Sequence, residues 1–157
     1  MLNKKVSLWT VFFAIMSVLS ICFIFSNSLK NPSASNQQSE NVAESLRQIL
    51  NPAKQVEQEA FYIYIRKLAH FVEFSVLGFC LKGTAVTLGY RRNYPYTLFP
   101  LLIAIFVAVM DESIQSFTGR TSSVKDVFID SLGGLFGILL MFTMSVFIEK
   151  TKSKLRK

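Results

Sequence analysis

His70 and Glu73 stand three residues apart, and Asp126 and Asp130 four apart. On a helix each pair shares a face. Asp111, Glu112 and Gln115 form a third polar group, and Arg66, Lys67, Arg120 and Lys125 flank the three groups in the chain. Carboxylates beside one histidine suit general acid/base work. Arginine and lysine suit a phosphate, and clustered carboxylates can hold a divalent ion that bridges protein and phosphate. His70, Glu73, Asp111, Glu112 and Asp126 are therefore the catalytic candidates, and Arg66, Lys67, Gln115, Arg120 and Asp130 the binding candidates. No nucleophile motif, glycine-rich phosphate loop, or Cys or His pair at zinc spacing occurs, so no dedicated metal set is expected. A hard cation such as Mg²⁺ is the cofactor these carboxylates would accept. The residue types alone leave three roles open: catalysis, binding, and ion pairing in which Glu73, Asp111, Glu112, Asp126 and Asp130 pair with the four bases and hold helix ends in register.

These groups lie among apolar residues. Hydrophobic residues make up 51% of the 157, 15 of them Phe. They come in blocks, and a helix needs about 20 apolar residues to cross a bilayer. Blocks of that length run over residues 7–25, 68–89, 97–116 and 126–148. An ordinary soluble enzyme, a disordered chain and a disulfide-framed secreted domain are all excluded. The cysteines, Cys22 and Cys80, both fall inside blocks and read as small core residues. Lys4 and Lys5 precede the first block as in a signal peptide. That block is too long for a signal peptide's apolar region and no cleavage site directly follows, so it reads as a retained span. The expected fold is all-α: a four-helix transmembrane bundle forming one domain over 1–157. A short amphipathic helix is expected in the first outer loop. There Val42, Leu46, Ile49 and Leu50 recur at helical spacing, Ser39 or Asn41 can cap, and Pro52 stops it. Such a helix either lies on the membrane surface or packs on the mouth of the bundle.

Four spans put both termini on one side. That side holds nine of the 17 Lys and Arg residues against Glu149 alone, which assigns it to the cytoplasm and the protein to the cell membrane. The formal charge of +7 follows the block ends, which favours a membrane surface over nucleic acid as partner. All three polar groups then lie within roughly 10 Å of the outer boundary. Ionisable residues at such depth face the bundle interior. Gly133 and Gly137 share the face of Asp126 and Asp130, and Gly134 widens it. A face of small residues lets backbones approach, which aims the aspartates at neighbouring helices. Lys82, nine residues beyond Glu73, falls on the opposite side of its helix within snorkelling reach of the cytoplasmic end. Ser26 and Ser28 read as caps at the end of the first span.

The segments Arg66-Lys67-Leu68-Ala69-His70-Phe71-Val72-Glu73-Phe74, Asp111-Glu112-Ser113-Ile114-Gln115-Ser116-Phe117, Gly119-Arg120, Asp126-Val127 and Gly133-Gly134, in this order, resemble the VanZ-like family of bacterial membrane proteins. In that family a Tyr often stands at the position of Phe74, a Pro before that of Gly119, and an Asn at that of Asp130. The family is named for a protein associated with resistance to teicoplanin. The resemblance implies a multi-pass membrane protein associated with glycopeptide resistance and acting at the outer face of the cell envelope. Its partner would be membrane lipid or a lipid-linked cell-envelope precursor. An enzyme acting on a lipid-linked phosphate and a scaffold for another membrane protein are the alternatives, and the oligomeric state is open.

Overall fold

The computed structural model describes residues 7–50, 57–90, 95–120 and 122–155. Among them there are five helices and no strand: α1 (Leu8–Ser28), α2 (Pro32–Leu50), α3 (Gln58–Thr87), α4 (Pro95–Phe117) and α5 (Val124–Leu155). Helices α1, α3, α4 and α5 are long and apolar enough to cross a membrane. At 30 and 32 residues, α3 and α5 are about 45 and 48 Å long, more than the roughly 30 Å hydrocarbon layer requires. Local chemistry sets the ends. The Ser7 side chain accepts from the Trp9 N–H at the start of α1. Pro32 occupies the first position of α2, where its missing N–H costs nothing. Gly89 and Gly119 adopt positive φ (92° and 78°) just past α3 and α4. There the N–H of the following residue, Tyr90 or Arg120, returns to the carbonyl of Ala85 or Gln115.

The distribution of polarity is that of a protein in lipid. Large apolar side chains such as Phe12, Phe23, Phe99, Phe106, Phe136 and Phe147 point outward, while Asp111, Glu112, Gln115, Asp130 and Lys82 are buried. A small apolar cluster of Ile24, Phe74, Leu77, Val107 and Ala108 fills the centre. The closest approach is between α3 and α5. A Cβ added to Gly78 would stand 2.1 Å from the Gly134 carbonyl oxygen, and one added to Gly137 would stand 1.9 Å from that of Ser75. The expected small-residue face of α5 is thus the seam against α3.

Several expectations are refined. α3 begins at Gln58 rather than at 68, because its first turns are amphipathic: Phe61 and Ile65 are buried against Ala43 of α2, with Leu46 and Tyr62 alongside. Helix α2 therefore packs on the mouth of the bundle, and it starts at Pro32, earlier than the expected caps at Ser39 or Asn41. The side chains of Ile49 and Leu50, and Pro52 itself, lie outside the described residues. Helix α5 continues to Leu155. Cys80 is buried as expected, but Cys22 is exposed on the lipid face of α1. Lys82 does not snorkel: it is fully buried, its ammonium 5.6 Å from the centre of the Phe142 ring on α5. An aromatic face supplies part of the attraction that water would otherwise give a cation.

Candidate functional site

The site lies at the end of the bundle where α1 and α4 finish and α5 begins. Asp111, in the last turns of α4, is its centre and is fully buried. The Ser28 hydroxyl at the end of α1 donates to Asp111 Oδ1. Gln115, one turn on, donates to Oδ2 at 2.8 Å. His70 Nδ1 stands 3.9 Å from the same Oδ2, close for a charge but too far for a hydrogen bond. Beside it, the Asn27 side-chain amide donates to Glu73 Oε1 at 3.2 Å. Lys30 ties α1 to α2 by donating to Asn27 Oδ1 at 2.9 Å and to Gln38 Oε1 at 2.7 Å.

The turn between α4 and α5 is built to deliver two further groups. With Gly119 in the left-handed region, Arg120 folds back and its Nη1 donates to the Asn27 carbonyl at 3.3 Å. Thr118 Oγ1 is placed between the carbonyls of Ser28 and Gln115. Ser123 caps α5 by accepting from the Lys125 N–H. Its own N–H donates to Glu112 Oε2 at 2.9 Å. Glu112 thus anchors the start of α5 as well as adding charge. Lys67 Nζ meets Asp126 Oδ1 at 2.5 Å, in the first turn of α5. Asp130, one turn deeper, is buried at 1% exposure.

These residues border two neighbouring spaces. A cavity of about 100 Å³ is lined by Lys30, Arg66, His70, Glu73 and Arg120, with Asn27 and the α2 side chains Gln38 and Ser39 as its wall and roof. A smaller space of about 10 Å³ is lined by Lys67, Glu112, Gln115, Asp126 and Asp130, and shares Arg66 and His70 with the first. Every candidate read from the sequence borders one of these spaces, except Asp111, which lies behind His70. Lys125 is exposed and lines neither. Asn27, Lys30 and Gln38 join the site with no local sequence signal, and Ser28, expected as a cap, is part of it too. Ser26 does bond within its own helix, to the Phe23 carbonyl, whereas Ser28 reaches across to α4.

Complete pairing of acids with bases is not what the site contains. Among the described residues of the cluster, Lys67 with Asp126 is the one direct contact between a lysine or arginine and a carboxylate. Four buried atoms have no hydrogen-bond partner here: His70 Nδ1, Glu73 Oε2, Arg120 Nε and Asp130 Oδ2. Burial first, then the like charge of Arg66, hold the Arg120 guanidinium below its ordinary value. Arginine nevertheless stays charged at any physiological pH, so the two guanidiniums repel each other across the cavity.

Four spanning helices closed around an inward-facing ionisable cluster define a multi-pass helical membrane protein. The chain belongs to the VanZ/LLP1 family, whose model matches residues 12–149. No curated protein and no solved structure matches it.

Proposed function

We propose that this protein binds the phosphate-bearing headgroup of a lipid or lipid-linked cell-envelope precursor at the outer membrane face, and so lowers the binding of lipoglycopeptides such as teicoplanin to the cell. The observation that carries this reading is the convergence of Arg66, Arg120 and Lys30 on one cavity. An anion between two mutually repelling guanidiniums relieves their repulsion and takes bidentate, charge-assisted hydrogen bonds. Lys67, an anion-holding candidate by sequence, is engaged by Asp126, so the role falls to the other three. The excess of Lys and Arg at the termini and in the 90–96 loop supports the outward direction of the cavity. A second reading, a membrane enzyme acting on a lipid-linked phosphate, draws on His70 and the unpartnered Glu73 Oε2 in the same cavity, a pair suited to moving a proton.

Two measurements test this. In a susceptible host, expression is expected to reduce susceptibility to teicoplanin more than to vancomycin, because the lipid tail of teicoplanin makes it depend on the membrane surface. An equal change for both drugs, or none, would reject the mechanism. Orientation is tested with Glu40→Cys, at an exposed position of α2, in a Cys22→Ser, Cys80→Ala background. A membrane-impermeant maleimide is expected to label intact cells. Labelling only of opened cells would place the cavity on the cytoplasmic side and remove the proposal.

A further inference from the structure

Three donors from three helices meet behind the cavity. A ring nitrogen of His70 on α3, a carboxylate oxygen of Asp111 on α4 and one of Asp130 on α5 all lie within 4.8 Å of one another. Proximity alone would say little, since acids often cluster. The second observation is Asp130 Oδ2: it is buried with no hydrogen-bond partner, on a side chain that is 1% exposed. An ionised carboxylate out of water and without a donor is costly. His70 Nδ1, 3.9 Å from Asp111 Oδ2, is also without a hydrogen-bond partner. Asp111, by contrast, is held from behind by Ser28 and Gln115, one donor to each oxygen. Metal-ligating carboxylates receive that kind of support.

We propose that His70, Asp111 and Asp130 form a binding site for a divalent first-row transition cation. Two carboxylates and a neutral imidazole balance a doubly charged ion. The imidazole moves the preference away from Mg²⁺ and toward Zn²⁺, while the two carboxylates also admit Mn²⁺. Spacing along the chain conceals this set, because each donor comes from a different helix. Donors about 2.1 Å from a common zinc ion stand about 3.4 Å apart at tetrahedral angles, so the ion draws His70 and Asp111 slightly closer than their present 3.9 Å. It also joins α3, α4 and α5 at one point. His70 lines the cavity, so a position on the ion left open by the protein is available to a ligand there. The site does not depend on the lipid-headgroup reading, and its test uses no lipid.

The full chain, purified in detergent on a histidine-free tag, is stripped with chelator and reloaded separately with Zn²⁺ and Mn²⁺. Bound metal is measured by elemental mass spectrometry and stability by thermal melting. His70 is the only histidine in the chain, which keeps the background low. About one ion per chain is expected, with a higher melting temperature on loading. Asp130→Asn and His70→Gln are each expected to weaken affinity by about 100-fold or more, and Ser28→Ala, acting through Asp111, by about 10-fold. Stripped Asp130→Asn should melt no lower than the stripped parent, because it removes one of two adjacent like charges; that separates loss of the site from loss of the fold. Metal content below about 0.1 per chain, or metal-induced stabilisation retained in Asp130→Asn, overturns the proposal.

Discussion

Replacing Gly137 with Val is expected to leave little folded protein in the membrane. A Cβ at this position would stand 1.9 Å from the Ser75 carbonyl oxygen and 2.8 Å from the Phe79 nitrogen. Those are backbone atoms of a neighbouring helix, so no side chain can turn aside to make room. Overfilling a core whose side chains can shift costs about 1–3 kcal/mol. Pushing α3 and α5 apart also separates Gly133 from Phe71 and Gly134 from Gly78, so the cost here should exceed about 3 kcal/mol. For a chain of this size that is a fall in melting temperature of about 6–12 °C. The sign is informative, because in an unhindered helix removal of a glycine gains up to about 1 kcal/mol. Gly83→Ala is the contrasting variant: the atoms nearest its Cβ would be those of the Phe13 ring, 2.7 Å away, on a side chain rather than a backbone. Melting in detergent, with membrane abundance by immunoblot, reads both variants. A Gly137→Val protein that melts like the parent would show that α3 and α5 are not in backbone contact.

The same seam shows what can be read from a sequence of this kind. Lipid admits few spanning structures, so long apolar blocks report their helices directly. Helical spacing then reports which residues share a face, as with Asp126, Asp130, Gly133 and Gly137. What hydropathy hides is a helix with a mixed surface. The first turns of α3 carry Glu59, Tyr62, Arg66 and Lys67 around Phe61 and Ile65, and only packing on α2 reveals the apolar stripe. Contacts made across the fold were equally hidden. Ser28 meets Asp111 across 83 residues of chain, and Asn27 meets Glu73 across 46. No local rule separates a serine that caps its own helix, such as Ser26, from one that donates to another helix. Lys82 departs from the snorkelling expectation for a related reason: its ammonium faces Phe142, which arrives with α5.

The double substitution Arg66→Gln, Arg120→Gln is expected to abolish anion binding while leaving the protein folded. Both guanidiniums line the larger cavity. A hydrogen bond to a charged group contributes about 1.5–3 kcal/mol, so losing one from each residue weakens affinity by at least about 100-fold. The measurement is calorimetric binding of a short-chain phosphatidate, and separately of inorganic phosphate, to the protein in detergent. Phosphatidate binding by the parent with none of inorganic phosphate would assign the apolar chain a share of the affinity. Arg120 ties to the fold through the 3.3 Å contact of its Nη1 with the Asn27 carbonyl, and the two arginines repel each other. Abundance and melting should therefore change little. Lys67→Gln is expected to behave in the opposite way. It leaves Asp126, whose side chain is 21% exposed, without its cation, so stability falls while affinity for the anion stays near that of the parent. Unchanged binding in the double variant, or binding lost only in proportion to folded protein, would remove the cavity from any role in holding phosphate.

The cluster draws its parts from every spanning helix, with Ser28 on the first and Asp130 on the last. Chains emerge from the ribosome in order, N-terminal segments first. While α4 is the newest helix, Asp111 and Glu112 have been made, but Ser123 and the glycine face of α5 have not. Ser28 and Gln115 are already available to Asp111 at that stage, but Glu112 lacks its Ser123 partner until α5 docks on α3. Assembly of this bundle is in that sense a closing step made by its last helix. A chain that stops short of α5 leaves the Glu112 carboxylate without that partner, the kind of feature by which membrane quality control can tell an unfinished bundle from an assembled one.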